Sequence, residues 1–137
     1  MSTLKLEIVT PTAKIFSGDV DMVVVPGAAG ELGILPMHIP LMTELKPGEL
    51  KISQNNEEIY LAVGEGFVEV TQDHVSILTD MALQEKEINE AVAQESASRA
   101  QAALSQSNLS GEEIATVEAN LAKSLAQLVV KRRKRHT

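Results

Sequence analysis

Histidine, acidic side chains and a basic terminus are the raw material for chemistry in this 137-residue chain, which has no cysteine. The histidines are His38, His74 and His136. None has a second ligand at metal spacing, and no HExxH occurs. No GxSxG elbow or GxxxxGK[ST] phosphate loop is present. Gly27, Gly30 and Gly33 give GxxGxxG, which is not the dinucleotide fingerprint and reads as turn glycines between strands. The acid pairs Glu57-Glu58 and Glu112-Glu113 read as solvent-facing. Lack of cysteine excludes disulfides and thiolate chemistry. The residues therefore nominate no catalytic group and no metal site.

The strongest charge signal is the run KRRKRH, from Lys131 to His136. Residues 1–84 carry twelve acids against four bases, residues 85–130 seven against three, and residues 131–137 five bases and no acid. The body repels nucleic acid and acidic membranes, whereas the tail attracts acidic surfaces. Two readings of the tail stay open. It is a solvated helix end whose cations oppose the helix dipole, or it docks on an acidic partner protein. Nucleic-acid binding is disfavoured, because Phe16, Phe67 and Tyr60 are the only aromatic residues available for stacking.

Two kinds of element must position these residues. Up to Gln84 the apolar pattern has period two. Leu4, Leu6 and Ile8 alternate with polar neighbours, as do Val20, Met22 and Val24, then Leu50 and Ile52, Ile59, Leu61 and Val63, and Val75 and Ile77. Pro26-Gly27, Pro47-Gly48, Asn55-Asn56 and Gly64-Glu65-Gly66 separate these runs as turns. Asn55-Asn56 suits a tight hairpin, because asparagine tolerates a positive φ. Short strands so spaced predict an antiparallel β-sandwich or flattened barrel over residues 1–84, with an aliphatic core.

From Glu85 glycine and proline nearly vanish and alanine dominates, which predicts a helical hairpin over residues 85–137. Ile88, Val92, Ala93, Ala97, Ala100, Ala103 and Leu104 form one expected face. Ile114, Val117, Leu121, Leu125 and Leu128 form the other. Asn89 is placed to cap the first helix, and Ser110 with Glu113 to form a capping box on the second. An alanine-rich seam buries little area, so the hairpin is expected to be marginal alone and able to open or detach.

The stretch GELGILPMHIPLMTELKPGEL, Gly30 to Leu50, combines turn-forming Gly and Pro with many large apolar residues. It reads as a loop-rich end of the sandwich, partly filling the core and partly displayed to a partner. Here the chain resembles the epsilon subunits of bacterial and chloroplast-type rotary ATP synthases. The resemblance rests on Gly30-Glu-Leu-Gly-Ile34, Pro36, His38, Pro40-Leu41, Thr43 and Lys46-Pro47-Gly48. It continues through Gly64–Val70, Val75–Ala82 and Ala119–Leu128, and so spans essentially the whole chain.

The resemblance implies a sandwich of about ten strands followed by a C-terminal two-helix hairpin. It implies a non-catalytic central-stalk subunit that helps couple proton passage to ATP synthesis. The implied partners are the gamma subunit, the c-subunit ring and, with the hairpin extended, the alpha and beta catalytic subunits. Glu31, Leu32 and Gly33 would meet the c-ring, and His38 and Thr43 would lie near gamma. Lys131, Arg132, Arg133, Lys134 and Arg135 would form an inhibitory tail.

Some relatives bind ATP on the hairpin. The corresponding positions here are Ile88, Asn89, Ala93 and Arg99, with Asn89 replacing an acid and Val92 an arginine. Two further arginines fall at Ser124 and Leu128. A polyphosphate needs cationic partners, so ATP binding is expected to be weak or absent and no cofactor is assigned. No run reaches the ~20 apolar residues needed to cross a bilayer, and no signal peptide is visible. Membrane association would come only through the complex, on the cytoplasmic face of the inner (plasma) membrane or the stromal side of a thylakoid. Two alternatives stand beside this reading: a nucleotide-sensing hairpin, and a stand-alone β-sandwich adaptor with a basic tail.

Overall fold

The structure, a computed structural model, describes residues 3–106 and 108–133. Ten described strands come first: β1 (Leu4–Val9), β2 (Lys14–Val20), β3 (Met22–Gly27), β4 (Gly30–Ile34) and β5 (Leu41–Leu45). These are followed by β6 (Gly48–Gln54), β7 (Glu57–Val63), β8 (Gly66–Thr71), β9 (His74–Thr79) and β10 (Ala82–Gln84). A 3-10 turn, Glu85–Glu87, leads to α1 (Glu90–Leu104) and α2 (Gly111–Arg133).

The strands run in the order β10-β7-β6-β3-β5-β8-β9-β1-β2, with β4 paired to β3. The sheet curls into a nearly closed, flattened barrel around Leu4, Leu6, Ile8, Val25, Ile34, Leu45, Leu50, Ile52, Leu61 and Ile77, all fully buried. No buried aromatic side chain is among them, as the composition requires. Pairing is antiparallel except between β1 and β9, where Lys5–Val9 run parallel to His74–Leu78. Alternation could not reveal this, because side chains have period two in both arrangements.

One expected face is corrected. Val20, Met22 and Val24 do not line the core together. Val20, Val23 and Val25 are buried instead. The chain breaks at Asp21 between β2 and β3. The Asp21 amide donates to the Ser53 carbonyl at 2.8 Å, and its carboxylate accepts from the Asn55 amide at 3.2 Å. That break shifts the alternation by one residue, which turns every later side chain over. Beside it, Asn55 (φ 52°) and Asn56 (φ 66°) form the tight β6–β7 turn.

α1 and α2 form an antiparallel hairpin, and α2 packs on the outer face of the sheet at β6 and β7, with Leu83 of β10 alongside. α2 buries two stripes at once. Ala126 and Val130 meet Ala62 and Ile88, with Tyr60, Met81 and Leu83 alongside. Leu128 meets Ala93 and Ala97, with Leu121 alongside. Residues four apart share a helix face, so the two stripes interleave and leave Leu125 and Val129 exposed. This corrects the expected face through Leu125. Val92 and Ile114 are exposed as well. α1 ends at Leu104, and residues 111–116 of α2 lie exposed beyond it. Ile88 precedes α1 and anchors the connection to the sheet rather than extending the helical seam.

Both caps form. The Asn89 side chain accepts from the Val92 amide at 3.1 Å. Ser110 Oγ accepts from the Glu113 amide at 3.1 Å, while the Glu113 carboxylate accepts from the Ser110 amide at 2.9 Å. That backbone donor, reinforced by the serine side chain, holds the Glu113 carboxyl below its ordinary range.

Candidate functional site

The loop-rich rim begins with the β3–β4 hairpin. Gly30 closes its turn at φ +115°, a conformation that residues with a Cβ rarely adopt. Glu31 and Gly33 face solvent. Leu32 is half-buried and packs against the core. An acidic side chain is thus presented at a stiff tip, backed by an apolar anchor.

The next segment is displayed more openly. Leu35, Met37 and Ile39 are exposed, Ile39 to 78%. Met37 has φ +69°, uncommon for a residue with a Cβ. Its amide donates to the Gln72 carbonyl at 3.1 Å, which ties the segment to the β8–β9 turn. The His38 ring Nδ1 donates to the Ile39 carbonyl at 2.7 Å, leaving Nε2 turned away from that bond. Thr43 is half-buried on the inward face of β5, in phase with Leu41 and Leu45. Its neighbours Met42 and Glu44 point out instead.

This outward face carries residues that sequence reasoning missed. Phe67 and Leu78 are register partners on β8 and β9, each 57% exposed. Met42 is exposed diagonally across from Phe67 on β5. A signal was available in the sequence. On β8, Phe67 alternates in phase with Glu69, whereas Val68 and Val70 are buried.

On the face covered by the helices, the described cations at the end of α2 are all engaged. Lys131 Nζ lies 3.3 Å from the Glu85 carboxylate and also donates to the Glu85 carbonyl. Arg132 pairs with Glu90 at 2.9 Å and donates to Gln94 at 2.9 Å. Arg133 makes two bonds to Glu49, at 2.7 and 2.5 Å, and lies 4.5 Å over the Tyr60 ring. One turn-set earlier, Lys123 pairs with Asp80 at 2.6 Å. Lys134 and Arg135, the rest of the expected tail, and His136 lie outside the described residues.

Tyr60 extends this network across the sheet. Its hydroxyl donates to Glu58 at 2.9 Å, and Lys51 pairs with Glu58 at 3.3 Å. The tyrosine bond, then the lysine, hold the Glu58 carboxyl below its ordinary range. Burial, then the bond to Glu58, raises the Tyr60 phenol. The Glu49 bonds raise the Arg133 guanidinium, keeping it charged.

The positions compared with a nucleotide site do not converge. Ile88 is buried against the sheet, Asn89 is a helix cap and Ala93 packs on Leu128. Arg99 lines a groove of about 430 Å3 between the helices, with Lys123, Asn120 and Ser124. It is already paired with Glu95 at 2.5 Å. Among the described residues no group of three or more His, Asp or Glu is arranged to hold a metal ion. No described helix is long and apolar enough to cross a membrane.

Residues 3–85 match the family model described as ATP synthase, Delta/Epsilon chain, beta-sandwich domain, and residues 86–131 match the long alpha-helix domain of the same chain. The chain belongs to the ATP synthase delta/epsilon family. Among curated relatives, the ATP synthase epsilon chain of Dehalococcoides mccartyi strain BAV1 is 44% identical over 137 residues, covering 99% of this chain and 98% of that one. The ATP synthase epsilon chain of Alkalilimnicola ehrlichii is 41% identical over 129 residues, covering 93% and 91%. In the cryo-EM structure of the Euglena gracilis mitochondrial ATP synthase (OSCP/F1/c-ring), one chain superposes with a TM-score of 0.79 at 22% identity, over 92% of this chain and 79% of that one. A chain of the Tetrahymena thermophila mitochondrial ATP synthase central stalk/c-ring gives 0.64 at 13% identity, over 93% and 96%. These two likenesses concern the fold. The expectation of an epsilon-type chain, sandwich first and helices second, is borne out.

Proposed function

We propose that this chain is a non-catalytic coupling and regulatory subunit of the central stalk in an ATP synthase. In this reading it turns with the rotor and helps couple proton flow to ATP synthesis. The hairpin is a detachable arm that restrains ATP hydrolysis when it leaves the sheet. The observation that carries this is the hairpin's mode of attachment. It rests on the sheet through a small patch, Ala126 and Val130 against Ala62 and Ile88, and through ion pairs, beside an aliphatic core that the helices do not enter. Such a seam separates at far lower cost than a leucine-rich one.

The rim contacts follow the same reading. Glu31, with Leu32 and Gly33 behind it, meets polar loops of the c-ring. His38 and Thr43 lie near gamma, and the exposed Met42, Phe67 and Leu78 supply the apolar area such a contact needs. Extended, the basic end of α2 reaches acidic loops of the alpha and beta subunits. Association with the membrane is peripheral, through the complex, and no cofactor takes part.

Two experiments test this. Ending the chain before Lys131 raises ATP hydrolysis by the assembled enzyme and leaves assembly intact; unchanged hydrolysis rejects the inhibitory arm. Glu31→Cys forms a disulfide with a cysteine placed in the c-subunit loop; absence of any cross-link in the assembled enzyme rejects that contact.

A further inference from the structure

The cations at the end of α2 do not wait in solvent while the hairpin is folded. Each described one is held by an acid on a different element: Lys131 by Glu85 in the 3-10 turn, Arg132 by Glu90 at the start of α1, and Arg133 by Glu49 on β6. None pairs within α2. The Arg133 site is the most elaborate. It combines a two-bonded carboxylate, an aromatic face beneath the guanidinium, and a carboxylate whose side chain is only 16% exposed. Planar two-bond pairing of this kind is geometrically selective and stronger than an ordinary surface ion pair.

We infer that Glu49, with Tyr60, is a masking site: it holds Arg133 against the sheet and competes with any external acidic surface for the basic end of α2. Undocking then does two things in one step. It frees Lys131 and Arg133 together, while Arg132 keeps Glu90 within the hairpin, and it leaves Glu49 and Glu85 uncovered on the sheet side. The internal carboxylates act as stand-ins for the external ones, so the arm is either masked or engaged. This rests on the detachable-arm reading above and assigns the residues that set its balance.

Hydrogen exchange on the isolated full-length chain tests it, followed residue by residue over α2. Because exchange reports the opening equilibrium, Glu49→Gln speeds exchange across residues 124–133 about tenfold, the scale of a lost charge-assisted bond. Exchange in β1, β8 and β9 stays unchanged. Raising sodium chloride speeds the same amides in the native chain, and does so less in E49Q. The double variant Glu49→Arg with Arg133→Glu restores protection. Glu57→Gln, exposed at the start of β7 beside the β6–β7 turn, changes nothing.

Equal protection in E49Q and the native chain overturns the inference. So does acceleration spread through the whole sheet, which makes Glu49 a residue of general stability. In the assembled enzyme E49Q lowers ATP hydrolysis, since the freed arm engages more often. If exchange accelerates as stated while hydrolysis does not change, the masking site stands and the inhibitory reading of the arm fails.

Discussion

At the scale of single residues, the ionised carboxylates set an acid limit on stability. Glu7 is held below its ordinary value of 4.5 first by the Lys14 hydrogen bond, then by that lysine's charge, with His74 adding to the effect. Glu58 is lowered by Tyr60 and Lys51, and Glu113 by the Ser110 amide and hydroxyl. For each, the folded state favours the charged form more than the unfolded chain does. Their contribution is therefore fully present above the unfolded value and is lost as pH falls through the lowered folded value. Thermal stability should be flat between about pH 7 and pH 5.5 and should fall below about pH 4.5. Melting curves against pH check this; a loss already complete at pH 5.5 would show that these carboxylates do not set the limit.

At the scale of elements, the unequal anchoring of sheet and hairpin matters most. The sheet closes on large aliphatic side chains. Close backbone approaches fix its register: a Cβ at Gly66 would meet the Leu78 carbonyl oxygen at 1.8 Å. The helix–helix seam is alanine on one side, so Leu128, 4% exposed, supplies much of its buried apolar area. Leu128→Ala should cost the hairpin about 2–5 kcal/mol, the usual range for such a truncation. The loss should appear as faster exchange in α1 and α2 with little change in β1, β8 or β9. Equal destabilisation of sheet and helices would mean that the two unfold as one cooperative unit.

At the scale of the whole molecule, the folded hairpin gives a nucleotide little to bind. Among the described residues Arg99 is the one arginine lining the groove between the helices, and Glu95 already holds it. Lys123, on the opposite wall, is held by Asp80. A triphosphate would have to displace both acids and would still lack the paired guanidinium groups that offset its charge. Titration calorimetry of the full chain with ATP should show no binding at micromolar concentrations. A micromolar affinity would restore the nucleotide-sensing alternative.

The sequence by itself determined the strand-to-helix switch after Gln84, the aliphatic core, both helix caps, the tight turn at Asn55-Asn56 and, through its motifs, the family. All of these rest on local chemistry: side-chain period, cap geometry and turn residues act over a few positions. Tertiary structure alone decided the parallel β1–β9 pair, the reversal of face at Asp21 and the two stripes of α2. Each depends on which distant surface a segment meets, and a period cannot say that. The candidate site divides the same way. The basic run was plain in the sequence, but its acidic partners lie 42 to 84 positions away. Charge alone could not pair Arg133 with Glu49, because any of nineteen acids offers the same sign. Only the docking of α2 on β6 and β7 brings that one within bonding distance.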